Sequence, residues 1–204
     1  HWHVFRGTPM RYWLEDQFAS IFGVTVRPSA ETADEIYDPI QAWIDAPSSR
    51  PRALMDSFDI TVLATTDDPL DDLHNHEAIR ADETFTRRVV PTFRPDRFLE
   101  PFRPDWNDLV DQLGEVSGCD VDSYAGYLAA LENRRAYFKE RGAVSTDHSH
   151  VDLGTLVLSA AEGERLFADA RSDRLDEEEC KVLRRAMVTE MARMACDDGL
   201  TMTL

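Results

Sequence analysis

The sequence predicts an α/β fold in which parallel strands alternate with helices, preceded by a helical segment. Three features of the 204 residues lead to this prediction. Short apolar runs of strand length recur after residue 50, amphipathic stretches separate them, and charged or hydroxyl-bearing residues follow most of the runs. Strands that alternate with helices in this way are typical of parallel β/α/β units.

Residues 1–50 are predicted to form helices. Apolar residues recur there at helical spacing, and the flanking residues supply start and stop signals. The signals are Thr8-Pro9 for the first start, Gly23 for its end, and Ser29 or Thr32 for the second start. A proline- and serine-rich stretch at 47–51 then breaks the pattern. We therefore expect a helical insertion over residues 1–50 and a second domain over residues 51–204.

Four apolar runs in the second domain are predicted to be strands. They are residues 60–64, 88–93, 143–145 and 200–204. Two long amphipathic stretches, Tyr124 to Glu140 and Asp176 to Ala195, are predicted to be helices. We count about four β/α units or parts of units.

Polar residues at the strand ends favour a (β/α)₈ barrel, because catalytic groups of such barrels lie where strands end and βα loops begin. A doubly wound sheet is the alternative, but none of the runs is followed by a glycine-rich phosphate-binding turn. A whole barrel needs roughly 250 residues, so four strands predict a partial barrel. The chain starts without an initiator methionine and ends in an apolar run, and we expect both ends to continue into a longer protein.

Composition limits the classes of partner. The formal net charge is −17, with 39 acidic and 22 basic residues, so the surface is expected to repel nucleic acid and anionic lipid. The sequence has no apolar run of about 18 residues, which a membrane helix would need. Cys119, Cys180 and Cys196 are odd in number and widely spaced. Free thiols are therefore expected, together with a cytoplasmic location.

All six histidines fall into His-x-His pairs: His1/His3, His74/His76 and His148/His150. Residues two apart on a strand face the same way, so such a pair can offer two imidazoles to one metal ion. The second pair lies in a helical stretch and is expected on a solvated helix face. The third pair directly follows a strand and is the only one placed for chemistry, although helix capping or a bond to a backbone carbonyl is the more ordinary role.

Arg94 stands immediately after the second predicted strand. Pro91 and Pro95 stiffen the backbone around it. A guanidinium group held in this position can grip a carboxylate at two points. A purely structural salt bridge to Asp96 or Asp68 fits the sequence equally well.

Asp147 occupies the matching position after the third predicted strand. A carboxylate there could orient a histidine, bind sugar hydroxyls or act as a base. It could also cap the following helix, which is a frequent role of aspartate. Asp67 and Asp68 have the same ambiguity, and one of them is expected to be a cap because Pro69 would follow as a first helical residue.

Several strings, taken in series, resemble the uronate isomerase family. The resemblance covers essentially the whole chain, and five motifs in order are far more specific than any one of them. The motifs are residues 2–9 with 11–14, residues 63–71, residues 91–96, residues 145–150, and residues 190–194 with 198–200.

The resemblance implies an amidohydrolase-like barrel that interconverts D-glucuronate with D-fructuronate, and D-galacturonate with D-tagaturonate. The family reaction is an aldose–ketose isomerisation in which a proton moves between C2 and C1 through an enediol. By the same resemblance, Arg94 would hold the uronate anion and Asp147 would belong to the catalytic site. Identical chains could assemble into a homo-oligomer.

The family's metal-binding His-x-His would lie upstream of His1, and a further site histidine would follow Leu204. A divalent metal such as zinc is thus expected only in the longer protein, with ligands outside these 204 residues. No residue of this chain is predicted to bind metal.

Two other hypotheses remain at this stage. A metal-dependent hydrolase of the amidohydrolase superfamily would require His148 or His150 to bind the metal. Alternatively, the chain taken alone is no enzyme, because it would lack about half of a barrel, and loss of any essential group can reduce the rate by orders of magnitude.

Overall fold

A computed structural model describes residues 2–149, 152 and 154–204. The chain divides into two compact units, His1–Thr61 and Val62–Leu204. The division falls after Thr61, whereas the sequence predicted a boundary at residue 50. The difference arises because the stretch after the predicted boundary forms one more helix before the first strand begins.

The first unit contains three helices, α1 (Pro9–Ser20), α2 (Ala33–Asp45) and α3 (Pro51–Ser57), with 3₁₀ turns at Trp2–Phe5 and Pro47–Ser49. Both predicted helix starts are confirmed. Proline occupies the first position of α1, where its missing N–H costs nothing. Thr32 precedes α2, which runs through an internal proline.

The second unit alternates strands with helices, as predicted. Its elements are β1 (Val62–Ala64), α4 (His74–Ala81), β2 (Arg88–Val90), α5 (Trp106–Ser117), α6 (Tyr124–Glu140), β3 (Ser145–Asp147), α7 (Ala160–Arg171), α8 (Glu177–Asp198) and β4 (Thr201–Thr203). Of these, α6 has the predicted bounds, and α8 begins one residue after the predicted Asp176 and extends beyond the predicted Ala195 to Asp198. The α/β class is confirmed.

The four strands are parallel and lie side by side in chain order. β1 pairs with β2 and β3 pairs with β4. Phe93 joins the two pairs, because it forms parallel bridges with Asp67 on one side and Thr146 on the other. Its N–H donates to the Ser145 carbonyl at 3.3 Å, and its carbonyl accepts the Asp147 N–H at 3.1 Å. The carboxyl ends of all four strands therefore lie along one edge.

The second predicted strand is shorter than expected. Its regular pairing stops at Val90 and resumes only at Phe93. Pro91 lies between them and has no N–H to donate to a neighbouring strand, which interrupts the ladder. The interruption matters because Phe93 rejoins the sheet and Arg94 then leaves it on a backbone that Pro91 and Pro95 stiffen.

The hydrophobic core of the second unit is centred on α6, which packs against α5, α7 and α8. The rings of Trp106, Tyr127 and Phe167 pack together inside this core. Phe138, near the end of α6, meets Phe93 edge to face with ring centroids 5.1 Å apart. The residue directly before Arg94 is thus fully buried, and the core fixes the backbone from which Arg94 projects.

A buried ion pair connects α6 to the end of α8. Arg135, whose side chain is 1% exposed, donates from Nε and Nη2 to the two carboxylate oxygens of Asp198 at 2.7 and 3.1 Å. Asp198 also accepts the Leu200 N–H at 2.9 Å, across the turn at Gly199. The pair therefore sets the angle at which the chain enters β4.

Pro69 does not begin a helix, so the predicted cap at Asp67 or Asp68 is wrong. Asp68 Oδ1 instead accepts the Leu70 N–H at 3.0 Å in a local turn, and the next helix, α4, begins only at His74. Among the helices in the part of the chain that the structure describes, none is both long and apolar enough to cross a membrane.

Candidate functional site

The candidate site lies at the carboxyl edge of the strands. Arg94 follows the second strand there and Asp147 ends the third. The Arg94 N–H donates to the Asp67 carbonyl at 3.0 Å, which also ties the loop after β1 to this edge. The structure therefore brings together the two residues that the sequence singled out from separate strands.

The Arg94 guanidinium contacts three side chains. Nε donates to Asp96 Oδ2 at 3.0 Å and Nη2 donates to Ser149 Oγ at 2.6 Å. Nη1 lies 3.4 Å from Asp147 Oδ2, beyond the usual range for a hydrogen bond of this kind. Arg94 and Asp147 remain partly open to solvent, with side chains 37% and 36% exposed.

Asp96 has a larger part in the site than the sequence predicted. Besides Arg94 it accepts the Ser149 N–H at 3.2 Å and the Ser149 hydroxyl at 2.9 Å. Its hydrogen bond raises the pKa of Arg94 above the ordinary value. The charges of Asp96 and Asp147 act in the same direction, and partial burial opposes them. Arg94 is therefore a permanent cation at any working pH.

The structure distinguishes between Asp96 and Asp68 as salt-bridge partners of Arg94. The pair with Asp96 is present, whereas Asp68 pairs instead with Arg97 at 2.5 Å. The pair with Asp96 uses the Nε side of the guanidinium, and Nη1 has the longer contact to Asp147 at 3.4 Å. A structural salt bridge and a role in anion binding are thus compatible in one residue.

The capping alternative for Asp147 is wrong. The next helix, α7, begins at Ala160 and is capped by Ser159. Asp147 is the last residue of β3, and its Oδ1 lies 3.4 Å from the hydroxyl of Thr203 on β4. Its carboxylate is therefore held at the open end of the strands between Arg94 and Thr203.

The histidine pair on α4 does not share one environment. His74 is exposed and lies 2.6 Å from Asp72, as expected for a solvated helix face. His76 is buried, so that expectation is wrong for it. Its Nε2 lies 2.8 Å from Thr65 Oγ1, which donates its one hydrogen to Asp67 Oδ2 at 2.7 Å. The Thr65 hydroxyl therefore links the imidazole of His76 to the carboxylate of Asp67.

His148 is only 2% exposed. Its Nε2 lies 3.2 Å from the Thr146 hydroxyl and its Nδ1 lies 4.0 Å from Asp96. His150, its partner in the sequence motif, lies outside the described residues. Over residues 2–149, 152 and 154–204, no group of three His, Cys, Asp or Glu side chains is arranged to hold a metal ion. The side chains of these ranges do not fit a metal centre.

The arrangement is suited to bind a small organic anion. A permanent cation stands at the strand ends, held on one side and open to solvent on the other, in a chain whose net charge is −17. The overall negative charge would repel an anion, so binding depends on a local group such as Arg94. A carboxylate beside it supplies an acceptor for hydroxyl groups of the same ligand.

Comparison with known proteins gives a consistent result. The glucuronate isomerase family model matches residues 3–204. Uronate isomerases from Cutibacterium acnes and Rhizorhabdus wittichii are 56% and 48% identical to the chain over all 204 residues, which span 43% and 44% of their lengths. The crystal structure of glucuronate isomerase from Caulobacter crescentus superposes with a TM-score of 0.91 at 39% identity, over 99% of this chain and 42% of that one.

A second crystal structure, of uronate isomerase from Thermotoga maritima, superposes with a TM-score of 0.88 at 27% identity. It covers 98% of this chain and 44% of its own. The chain therefore spans less than half the length of the relatives it matches.

Proposed function

The chain belongs to the glucuronate isomerase family, and we propose on this premise that the protein containing it is a uronate isomerase. The proposed reactions interconvert D-glucuronate with D-fructuronate, and D-galacturonate with D-tagaturonate. The observation that carries the proposal is the family match over residues 3–204, together with a cation at the strand ends suited to a carboxylate. A cytoplasmic location is part of the proposal and is supported by three free cysteines.

We further propose that residues 62–204 are the middle part of a (β/α)₈ barrel. Four parallel strands in unbroken chain order support this, because strand order reverses at a switch point in doubly wound sheets. The exposure of both faces of β1 also supports this proposal, because it fits a strand that the rest of a barrel would cover. Val62 and Leu63 face opposite sides of the strand and are 45% and 42% exposed, whereas barrel strands are covered on both faces.

Arg94 is proposed to hold the carboxylate of the uronate. The Nη1/Nη2 end of a guanidinium group can donate two parallel hydrogen bonds to a carboxylate. In this structure that end bears the longest of the three contacts, to Asp147 at 3.4 Å. A substrate carboxylate could displace this long contact without breaking the shorter bonds to Asp96 and Ser149.

Asp147 is proposed to be a catalytic-site residue that accepts a hydrogen bond from a hydroxyl group of the bound sugar acid. Carbon–carbon bonds of about 1.5 Å place C2 of an extended uronate about 5 Å from its carboxylate carbon. Asp147 lies beside the guanidinium that would hold the carboxylate, so it reaches a hydroxyl near the carboxylate before it reaches C2. We therefore propose that it binds and orients a hydroxyl group near the carboxylate, and that another group of the complete protein moves the C2 proton.

The isomerisation has no net redox change, since hydrogen is only moved between C1, C2 and their oxygens. A divalent metal in the longer protein, with ligands outside this chain, would supply Lewis-acid polarisation of the substrate oxygens. Because the described residues do not fit a metal centre, no step assigned to them depends on it.

The test is an assay of the complete protein with D-glucuronate and D-galacturonate, with the ketose product followed directly. Isomerisation of either uronate is the expected result. Hydrolysis of amides or esters without isomerisation would favour the hydrolase hypothesis instead, and would contradict the proposal.

A further inference from the structure

We propose that Asp96 is a positioning residue that, together with Ser149, turns the open end of the Arg94 guanidinium toward the substrate carboxylate. The inference rests on the proposed function and assigns a role to two residues that the family resemblance did not single out. Neither side chain needs to touch the substrate for this role.

The three side chains form a closed triangle of hydrogen bonds. Arg94 Nε donates to Asp96 Oδ2, Ser149 Oγ donates to the same oxygen at 2.9 Å, and Arg94 Nη2 donates to Ser149 Oγ at 2.6 Å. The single serine hydrogen goes to Asp96, so the serine oxygen is free to accept from Arg94. Each of the three hydrogen bonds therefore joins one donor to one acceptor.

This triangle of hydrogen bonds occupies one edge of the guanidinium group and leaves the Nη1/Nη2 end available to a ligand. It engages Nε and one hydrogen of Nη2. The second Nη2 hydrogen and one Nη1 hydrogen lie side by side at the far end of the plane. Because the guanidinium is flat and rigid, fixing one edge fixes the direction of the other. Arg94 is therefore oriented before substrate arrives, which reduces the entropy lost on binding.

The triangle also connects two loops of the carboxyl edge. Asp96 lies after β2 and Ser149 lies after β3, and the Ser149 N–H donates to Asp96 at 3.2 Å. This bond fixes the backbone two residues after Asp147. The same carboxylate therefore determines both the orientation of Arg94 and its separation from Asp147.

The chain contains an internal comparison for this site. The sequence Phe-Arg-Pro-Asp occurs twice, at residues 93–96 and 102–105. In the second copy both Nε and Nη2 of Arg103 donate to Asp105, each at 2.9 Å. In the first copy Asp96 takes Nε, and a serine from another strand end takes Nη2. The second copy is a local exposed pair, and the first is built into the site.

The experiment measures steady-state kinetics of the complete protein with D-glucuronate. Asp96→Asn keeps the size and one oxygen but removes the charge that holds Nε. We expect KM to rise roughly tenfold, as for loss of one charge-assisted hydrogen bond, with kcat changed less than about threefold because the carboxylate is bound equally in ground and transition states. The matched variant Asp105→Asn should leave both constants unchanged.

A double variant tests whether Asp96 acts through Arg94. In an Arg94→Gln background, Asp96→Asn should add no more than about a twofold effect, because coupled residues are not additive. A full additional tenfold loss, or an Asp96→Asn variant with the KM of the wild type, would overturn the inference.

Two further outcomes are informative. Should Asp96→Asn fail to fold, Ser149→Ala makes the same test by opening the triangle at its other corner, and an unchanged KM there would also overturn the inference. A wild-type protein without uronate isomerase activity would contradict the proposed function and the inference with it, whereas an active wild type with normal variants contradicts the inference alone.

Discussion

Replacement of Arg94 by lysine separates a site role from a purely structural one. Lysine keeps the positive charge, but its single nitrogen cannot reproduce three contacts in one plane, to Asp96, Ser149 and the bound carboxylate. Loss of one charge-assisted hydrogen bond to the substrate corresponds to about 1.5–3 kcal/mol. That is roughly a ten- to hundredfold fall in kcat/KM. The exposed ion pairs of Arg94 contribute at most about 1 kcal/mol to folding, so thermal stability should change little.

The assay compares wild type, Arg94→Lys and Arg103→Lys in the complete protein, with D-glucuronate as substrate and melting followed in parallel. Arg103 is the matched control, because it has the same neighbours in sequence and pairs with an aspartate two residues on. Normal kinetics for Arg94→Lys would refute the assignment of Arg94 to the substrate carboxylate. An equal kinetic loss in Arg103→Lys would show that the effect is not specific to the strand ends.

Three other predictions follow from the structure. Asp147→Asn should lower kcat/KM roughly tenfold in kinetic assays, because a charged acceptor for a substrate hydroxyl is replaced by a neutral one, while circular dichroism and melting stay normal; a variant that melts early yet turns over normally would instead assign Asp147 to stability. Asp198→Asn should destabilise the protein in urea unfolding by about 3–5 kcal/mol, because the buried guanidinium of Arg135 loses its charged partner. Burial raises the pKa of Asp198, but Arg135 and the Leu200 N–H outweigh burial and lower it. The ion pair therefore stabilises the fold fully above the ordinary aspartate pKa of about 4. The difference in the free energy of unfolding between wild type and variant should shrink as pH falls through the lowered pKa of Asp198. Residues 1–204 expressed alone should aggregate and show no isomerase activity, because β1 pairs with β2 and β4 with β3 among the described strands, which leaves two sheet edges unpaired; a sharp calorimetric melt of a sedimenting monomer would contradict this.

Local signals in the sequence predicted the helices well. Thr8-Pro9, Thr32 and Asp176 each precede a helix of the structure, and the stretch from Tyr124 to Glu140 has the predicted bounds. Asp176 caps its helix with its side chain, Pro9 fits the first position of its helix, and contacts between residues three or four apart support all of these helices. Each of these signals is present in the sequence itself. The predicted helix start at Pro69 is wrong because its signal is local and ambiguous. An aspartate followed by proline also fits the turn that the chain adopts there.

The strands and the site required more than local signals. Each strand has three residues, and its ends are set by pairing with chain segments far away in sequence. His76 shows the same limit. Its helix was predicted, but burial against Thr65 depends on how that helix packs on the sheet.

The sequence by itself determined the α/β class, helices α1, α2, α4, α6 and α8, and two site candidates recognised by their position after apolar runs and by resemblance to a family. Only the tertiary structure decided that Arg94 and Asp147 lie side by side, and that Asp96 and Ser149 hold one edge of the guanidinium. The physical reason is distance along the chain. Asp96 and Ser149 are 2.9 Å apart in space and 53 residues apart in sequence, and the register of parallel strands that joins them is fixed by the packed core around Phe93.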